Sequence, residues 1–274
     1  MGECLITRRG AGSGGIPKFS YDGLYTAMLG DDRDNWTIEF LSSGTLIFER
    51  DNTLIDAFLV AGGAGGNGST GSFGGLGGCS GKTLTKTSIP IVAGESYQII
   101  IGAGGAGGAA NGFANAGGAT EAFGHSVAGG TVDTSDYTSN STNGIGGSGG
   151  GTGAYGNSKW AAGAGGMDGA NGLSPGSTWS AGKGQGTTTR AFGETTGKLY
   201  ASGGGGGGYA SSSFSTNGAA GGDETAGAGG TSSAGGNAQP NTGSGGGGGA
   251  RGNSSATYAG GNGGSGIVII RNAR

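Results

Sequence analysis

Two periods divide this chain. The first is the two-residue alternation of a half-buried strand. Trp36-Thr37-Ile38-Glu39-Phe40-Leu41 carries it, Ser42-Ser43-Gly44 interrupts it with a turn, and Thr45–Glu49 resumes it, which predicts a β-hairpin. Leu54–Val60, Lys82–Ser88 and Ser96–Ile101 predict three further strands. Ile267–Ile270 is apolar at every position and predicts a strand covered on both faces. It lies far downstream of the others. To bury it, the strands must close around everything between, so the intervening chain is expected to be an insertion within one sandwich.

The second period is three. From Ala61 to Gly81, a residue other than Gly stands at every third position: Ala61, Ala64, Asn67, Thr70, Phe73, Leu76 and Cys79. Almost everything between is Gly. Neither an α-helix nor a strand has this period. An extended left-handed helix of about three residues per turn does, and it makes no internal hydrogen bonds. Two of its faces are bare, so neighbours can approach and bond backbone to backbone. The third face is expected to carry side chains outward. Gly102–Ala109 repeats the pattern with Ala103, Ala106 and Ala109, and Ala259, Asn262 and Ser265 repeat it near the end. Gly203–Gly208 and Gly245–Gly249 are bare on all faces, which suits the centre of a bundle. The expected fold is therefore mostly β and irregular: a β framework with an inserted bundle of polyglycine II helices. The expected divisions are an N-terminal arm over 1–35, framework strands with the first glycine helices over 36–128, the inserted bundle over 129–262, and a closing strand over 263–274.

Composition alone points to low-complexity disorder. The 274 residues include 76 Gly and 4 Pro, and only 32% are hydrophobic. Two features oppose that reading. Charged residues are only 11%, whereas disordered chains carry many charges. The Gly is also phased, and phase implies packing. Collagen is excluded because it needs one Gly in three with abundant Pro. A net charge of −3 without basic blocks argues against nucleic acid or an anionic membrane surface as partner. Two cysteines, Cys4 and Cys79, make no disulfide framework. The sequence has no apolar run of membrane-spanning length and no signal peptide, so it is expected to be made in a cytoplasm without membrane insertion.

Between the glycine runs the composition changes. Tyr137, Tyr155, Trp160, Trp179, Phe192, Tyr209 and Phe214 stand in connections rich in Ser, Thr and Asn. Large rings with short hydrogen-bonding neighbours are the composition of adaptable binding loops, so these seven are the candidate partner contacts. The competing reading is that such rings plug the ends of the bundle. In the arm, Leu5, Ile6, Arg8 and Arg9 mark a candidate attachment segment.

No motif supports catalysis, a cofactor or a metal. Gly102-x-Gly104-x-x-Gly107, with Glu121 downstream, matches the dinucleotide fingerprint, as does Gly63-x-Gly65-x-x-Gly68 without the acidic residue. Neither precedes the helix that must present its N-terminus to phosphate. Gly81-Lys82-Thr83 ends like a P-loop but has Leu76 where Gly is required. The single His, His125, cannot build a His-rich metal site. The chain is expected not to be an enzyme.

Five segments carry a resemblance: Trp36–Thr45, Asp56–Gly66, Tyr97–Gly105, Glu121–Gly124 and Gly263–Arg271. Together they resemble the glycine-rich tail-fibre proteins and adhesins of bacteriophages. The fold is also similar to the glycine-rich module beside a TNF-like jelly roll in the ectodomain of anaplastic lymphoma kinase. The resemblance implies a jelly-roll-like framework and a virion location. It implies attachment to other virion proteins through the N-terminal arm, and binding of a bacterial surface glycan or outer protein through loops. A homotrimer is one assembly it admits. A purely structural virion decoration and an ice-binding protein are the alternatives.

Overall fold

The computed structural model describes residues 15–30, 35–49, 53–134, 144–156, 160–175 and 180–274. Twelve strands are found among them. Five form one antiparallel sheet: β2 (Tyr25–Leu29), β3 (Trp36–Phe40), β12 (Ile267–Asn272), β5 (Thr53–Val60) and β6 (Thr83–Ile91), in that spatial order. Five form a second: β1 (Phe19–Tyr21), β4 (Gly44–Phe48), β7 (Ser96–Ile100), β8 (Thr120–Ala122) and β9 (His125–Val127). The two remaining strands, β10 (Tyr209–Ala210) and β11 (Ser215–Thr216), make a separate small hairpin.

The two sheets face each other across a shared apolar core. Trp36, Ile38 and Phe40 of β3 meet Leu46 and Phe48 of β4, with Ile55, Ala57, Leu59, Ile91, Ile99, Val268 and Ile270 filling between. Alternation alone put these side chains on one face of each strand. It did not identify neighbours. The expected hairpin of β3 with β4 does not form: β3 pairs with β2 and β12, whereas β4 pairs with β1 and β7. Residues 41–43 carry the chain from one sheet to the other, because both strands present their apolar faces to the same interior. The arm expected over 1–35 is also shorter than its boundary. Residues 19–29 supply β1 and β2, and Phe19, Tyr21 and Tyr25 pack edge-on or tilted against one another and against Phe48 and Phe40.

As expected, Ile267–Ile270 is buried on both faces and pairs with β3 and β5. Its second face packs with Phe58 and Val60 against Tyr200 and Ala201. The insertion therefore covers the outer side of this sheet. On the same side Asp56 is wholly buried where the β5–β6 register slips. Its carboxylate accepts the Ser88 N–H at 3.0 Å and lies 3.3 Å from Arg271 Nε. The bulge places Ser88 at φ 56° to make that contact.

The strands run directly into glycine. β5 continues as 61–69, which turns and returns as 74–81 into β6; β7 and β8 are joined through 102–109 and 112–118 in the same way. No α-helix or β-ladder covers these runs. Their hydrogen bonds repeat every three residues. Gly62, Gly65 and Gly68 donate to the carbonyls of Gly118, Asn115 and Gly112. Gly63, Gly66 and Ser69 donate to Gly264, Gly261 and Tyr258. Ala61, Ala64, Asn67 and Thr70 donate to Lys82, Cys79, Leu76 and Phe73. One run is thus tied to three antiparallel neighbours, each served by every third N–H. Elsewhere the partners are parallel: Gly205 and Gly208 donate to Gly227 and Gly230.

Such spacing leaves no room for a side chain. A Cβ on Gly62 would collide with the carbonyl oxygen of Ala103, and one on Gly63 with that of Ser244. Residues 203–208 and 245–249 are buried throughout, in line with a central position. The expectation that the third face points outward fails for the first run. Ala61, Ala64, Asn67, Leu76 and Cys79 are all buried, because 61–69 and 74–81 turn those faces toward a third layer that includes Ala114 and Val132.

Candidate functional site at the far end of the glycine runs

Hydrogen-bond register sorts the connections into two ends. Val60, Lys82 and Ile267 mark the sandwich end of their runs. Gly243 pairs there with Ser265, Ala201 with Thr242, and Gly147 with Ser80 and Gly81. Residues 186–200, 223–225 and 239–242 therefore lie beside the sandwich. At the other end Thr70 pairs with Phe73, Gly112 with Ala109, Ala154 with Gly207, and Ala210 with Arg251. Residues 70–73, 109–112, 155–156, 160, 209–216, 231–233 and 250–258 share that far end.

Four rings meet there. Phe73 and Tyr155 stack with centroids 4.6 Å apart and planes 28° from parallel. Trp160 lies 5.8 Å from Tyr155, and their backbones exchange two hydrogen bonds of 3.0 and 3.2 Å. Tyr209 lies against Gly156, where any Cβ would enter its ring. Phe73, Tyr155 and Trp160 keep part of their surface open, whereas Tyr209 is buried. Arg251 braces this group from below. Its guanidinium carbon is 4.6 Å from the Tyr209 centroid, and it donates to the carbonyls of Gly71 and Ala210 and to Ser255 Oγ. The β10–β11 hairpin carries Phe214 at its turn, half-buried and fixed by reciprocal bonds with Ser211.

Of the seven expected contacts, Tyr155, Trp160 and Phe214 are partly exposed at this end. Tyr209 is at this end but serves as a plug, since it is covered by Gly156 and Arg251. Phe192 is at the sandwich end. It sits in a 3-10 turn, Ala191–Gly193, with its ring 6.1 Å from Phe58 and the Arg271 guanidinium 3.9 Å from its centroid. Its φ of 57° is costly for a bulky residue and is held by that packing and by the Arg271–Glu194 ion pair at 2.8 Å. Phe192 thus caps the sandwich sheet. Tyr137 and Trp179 lie outside the described residues, as do Leu5, Ile6, Arg8 and Arg9 of the candidate attachment segment. Phe73 and Arg251 were missed. The signal for Phe73 was present: it follows the one stretch of its run where Ser replaces Gly.

Two other concavities flank the sandwich. One, of about 820 Å³, lies between β6 and the β7–β9 edge and includes Tyr97, Glu121 and His125. The other, of about 290 Å³, lies under residues 191–200 with Lys198, Tyr200 and Arg271. Among the described residues no group of three or more His, Cys, Asp or Glu is placed to hold a metal, and no helix is long and apolar enough to cross a membrane. Cys79 is buried, which pushes its thiol up to about 12, and it accepts the Gly150 N–H at 3.3 Å.

No curated protein matches the chain. A family model described as a glycine-rich domain matches residues 41–273, a span that takes in both the sandwich strands from β4 onward and all the glycine runs. The match leaves out β1, β2 and β3, and since it covers most of the sequence, the chain belongs to the glycine-rich domain family.

Proposed function

We propose that the chain is a bacteriophage tail-fibre or receptor-binding component that holds a bacterial surface through the far-end loops, without catalysis. The observation that carries this reading is the convergence of Phe73, Tyr155 and Trp160, partly exposed, at the end farthest from the sandwich. Rings that only plugged the bundle would be covered as Tyr209 is. Open aromatic surface on a rigid base supplies contact area with little ordering cost. The sandwich at the opposite end is left for attachment to other virion proteins. Trp160→Ala tests the role. Adsorption of labelled protein to a panel of intact bacteria is expected to fall at least about 30-fold, the scale of a binding hot spot, with a melting temperature close to that of the unaltered chain. An unaltered chain that adsorbs to no bacterium would end this reading. So would a variant that melts early yet adsorbs equally per folded molecule.

A further inference from the structure

We infer that the cavity of about 290 Å³ under residues 191–200 binds a small zwitterion, a free amino acid with an apolar side chain. This site lies at the sandwich end and stands apart from the far-end reading. Its walls are the outer face of the sandwich sheet and the hairpin in which Arg190 pairs with Leu199. Its size falls at the bottom of the range for small-molecule sites, about 300–1,000 Å³, which suits a ligand of amino-acid size. The hairpin is held over the sheet: Arg190 Nη1 donates to the Gly197 carbonyl, and Glu194 pairs with Arg271 at 2.8 Å. Phe192 stands in the wall at φ 57°, a strained conformation of the kind that clusters at ligand clamps.

The polar groups lining the cavity are of both signs, and three of them are not spent on each other. Tyr200 is 3% exposed, and its hydroxyl opens on the cavity with no hydrogen-bond partner among the described residues. Burial, and then the nearby Glu39 carboxylate, raise that hydroxyl above the ordinary tyrosine range, so it stays protonated and can donate. Lys198 Nζ lies 4.8 Å from the centre of the same ring. Thr26 Oγ1 donates to Glu39 Oε2 at 3.2 Å, which fixes the carboxylate and leaves Oε1 without a partner. Neither Lys198 nor Glu39 makes an ion pair among the described residues. Arg271 and Glu194 also line the cavity but are paired with each other, and Arg271 is shared with Asp56. Arg274 adds a further cation to the lining. A simple anion in this cavity would be repelled by Glu39, and a simple cation by Lys198 and Arg274. An uncharged ligand would take water from both signs of charge and pair neither. An amino acid satisfies both: its carboxylate accepts from the Tyr200 hydroxyl and the Lys198 ammonium, and its ammonium donates to Glu39 Oε1. Ile269, Ala191 and the Phe192 ring supply apolar surface for its side chain.

The experiment is calorimetric titration of the full chain with leucine, isoleucine, valine, methionine and phenylalanine. Each is paired with counterparts that lack the ammonium or the carboxylate, such as 4-methylpentanoate and 3-methylbutylamine for leucine. At least one amino acid is expected to bind with a Kd below about 1 mM, and both its counterparts at least about tenfold more weakly, the scale of one hydrogen-bonded charge. Lys198→Met, Glu39→Gln and Tyr200→Phe are each expected to weaken that binding by about tenfold or more, with a melting temperature close to that of the unaltered chain. Absence of binding by every amino acid at about 10 mM would overturn the inference. So would a counterpart that binds as tightly as its amino acid, which would make this a site for a simple ion. Affinity unchanged in all three variants would overturn it as well, by placing the ligand elsewhere.

Discussion

Replacing Gly206 with Ala puts one methyl group where the bundle has no space. Its Cβ would collide with the carbonyl oxygen of Thr152. Neither backbone is free to retreat. Gly206 donates to Gly163 at 2.9 Å and accepts from Ala219 at 2.9 Å. Thr152 accepts from Gly163 at 2.8 Å and donates to Leu173 at 3.2 Å, and Gly151 beside it donates to Gly204 at 2.9 Å. Relieving the overlap takes a shift of about 1 Å, which stretches these bonds toward 4 Å and out of effective range. Three buried bonds lost at about 1–2 kcal/mol each give a cost of about 3–6 kcal/mol. Against a total stability of about 5–15 kcal/mol, that is a large fraction. The melting temperature is expected to fall by roughly 6–24 °C, at about 2–4 °C per kcal/mol for a chain of this size. Gly71→Ala is the matched control. It sits at the far-end turn with open space around its Cβ and without a left-handed φ, so it is expected to raise stability by about 0.4–1 kcal/mol through the unfolded chain. Thermal and denaturant unfolding of the two variants provide the comparison. Equal stability of the two would refute the claim that backbone contact through bare glycine faces holds the bundle.

Two further outcomes follow from buried groups. Arg271→Ala removes the ion-pair partner of a fully buried Asp56 and is expected to cost about 3–5 kcal/mol, whereas Asp56→Asn with Arg271→Met should recover much of that loss in denaturant titrations. Burial holds the Cys79 thiol protonated in the folded chain while the unfolded thiol ionises near its ordinary 9.0, so its stabilising contribution is complete below that pH and is lost as pH rises toward about 12. Tyr21 and Tyr200, both raised chiefly by burial, act in the same direction at higher pH, and Cys79→Ala should make the first part of the alkaline decline in stability shallower.

The parts of the fold that were legible are those where a period reports a contact. Ile267–Ile270 was readable as doubly covered because no solvent-facing strand is apolar at every position, and Ala61–Gly81 because only a threefold arrangement gives that phase. What was not legible is who neighbours whom. Trp36–Phe40 and Gly44–Phe48 alternate as hairpin strands do, yet they belong to facing sheets. β1 and β2 escaped notice because three-residue and five-residue strands with aromatic anchors leave too short a period. For the candidate site, composition found rings in polar connections but not at which end each connection falls. Phe192 and Trp160 look alike in sequence. They differ because the run before 186–200 returns to the sandwich and the run that ends at Tyr155 leaves it. Arg251 was invisible because its role depends on carbonyls of Gly71 and Ala210, far from it in the chain.

The threefold lattice also sets how stability responds to temperature. In an ordinary domain unfolding exposes mostly apolar side chains, whose hydration raises the heat capacity, by about 12–15 cal/mol/K per residue overall. Here the interior of the bundle is peptide backbone from runs such as 203–208 and 245–249, and exposing peptide groups lowers the heat capacity. The sandwich contributes the usual positive term and the bundle subtracts from it. The stability curve of the whole chain is therefore flatter than its length implies, with less loss toward the cold, where the hydrophobic contribution fades and the backbone bonds do not.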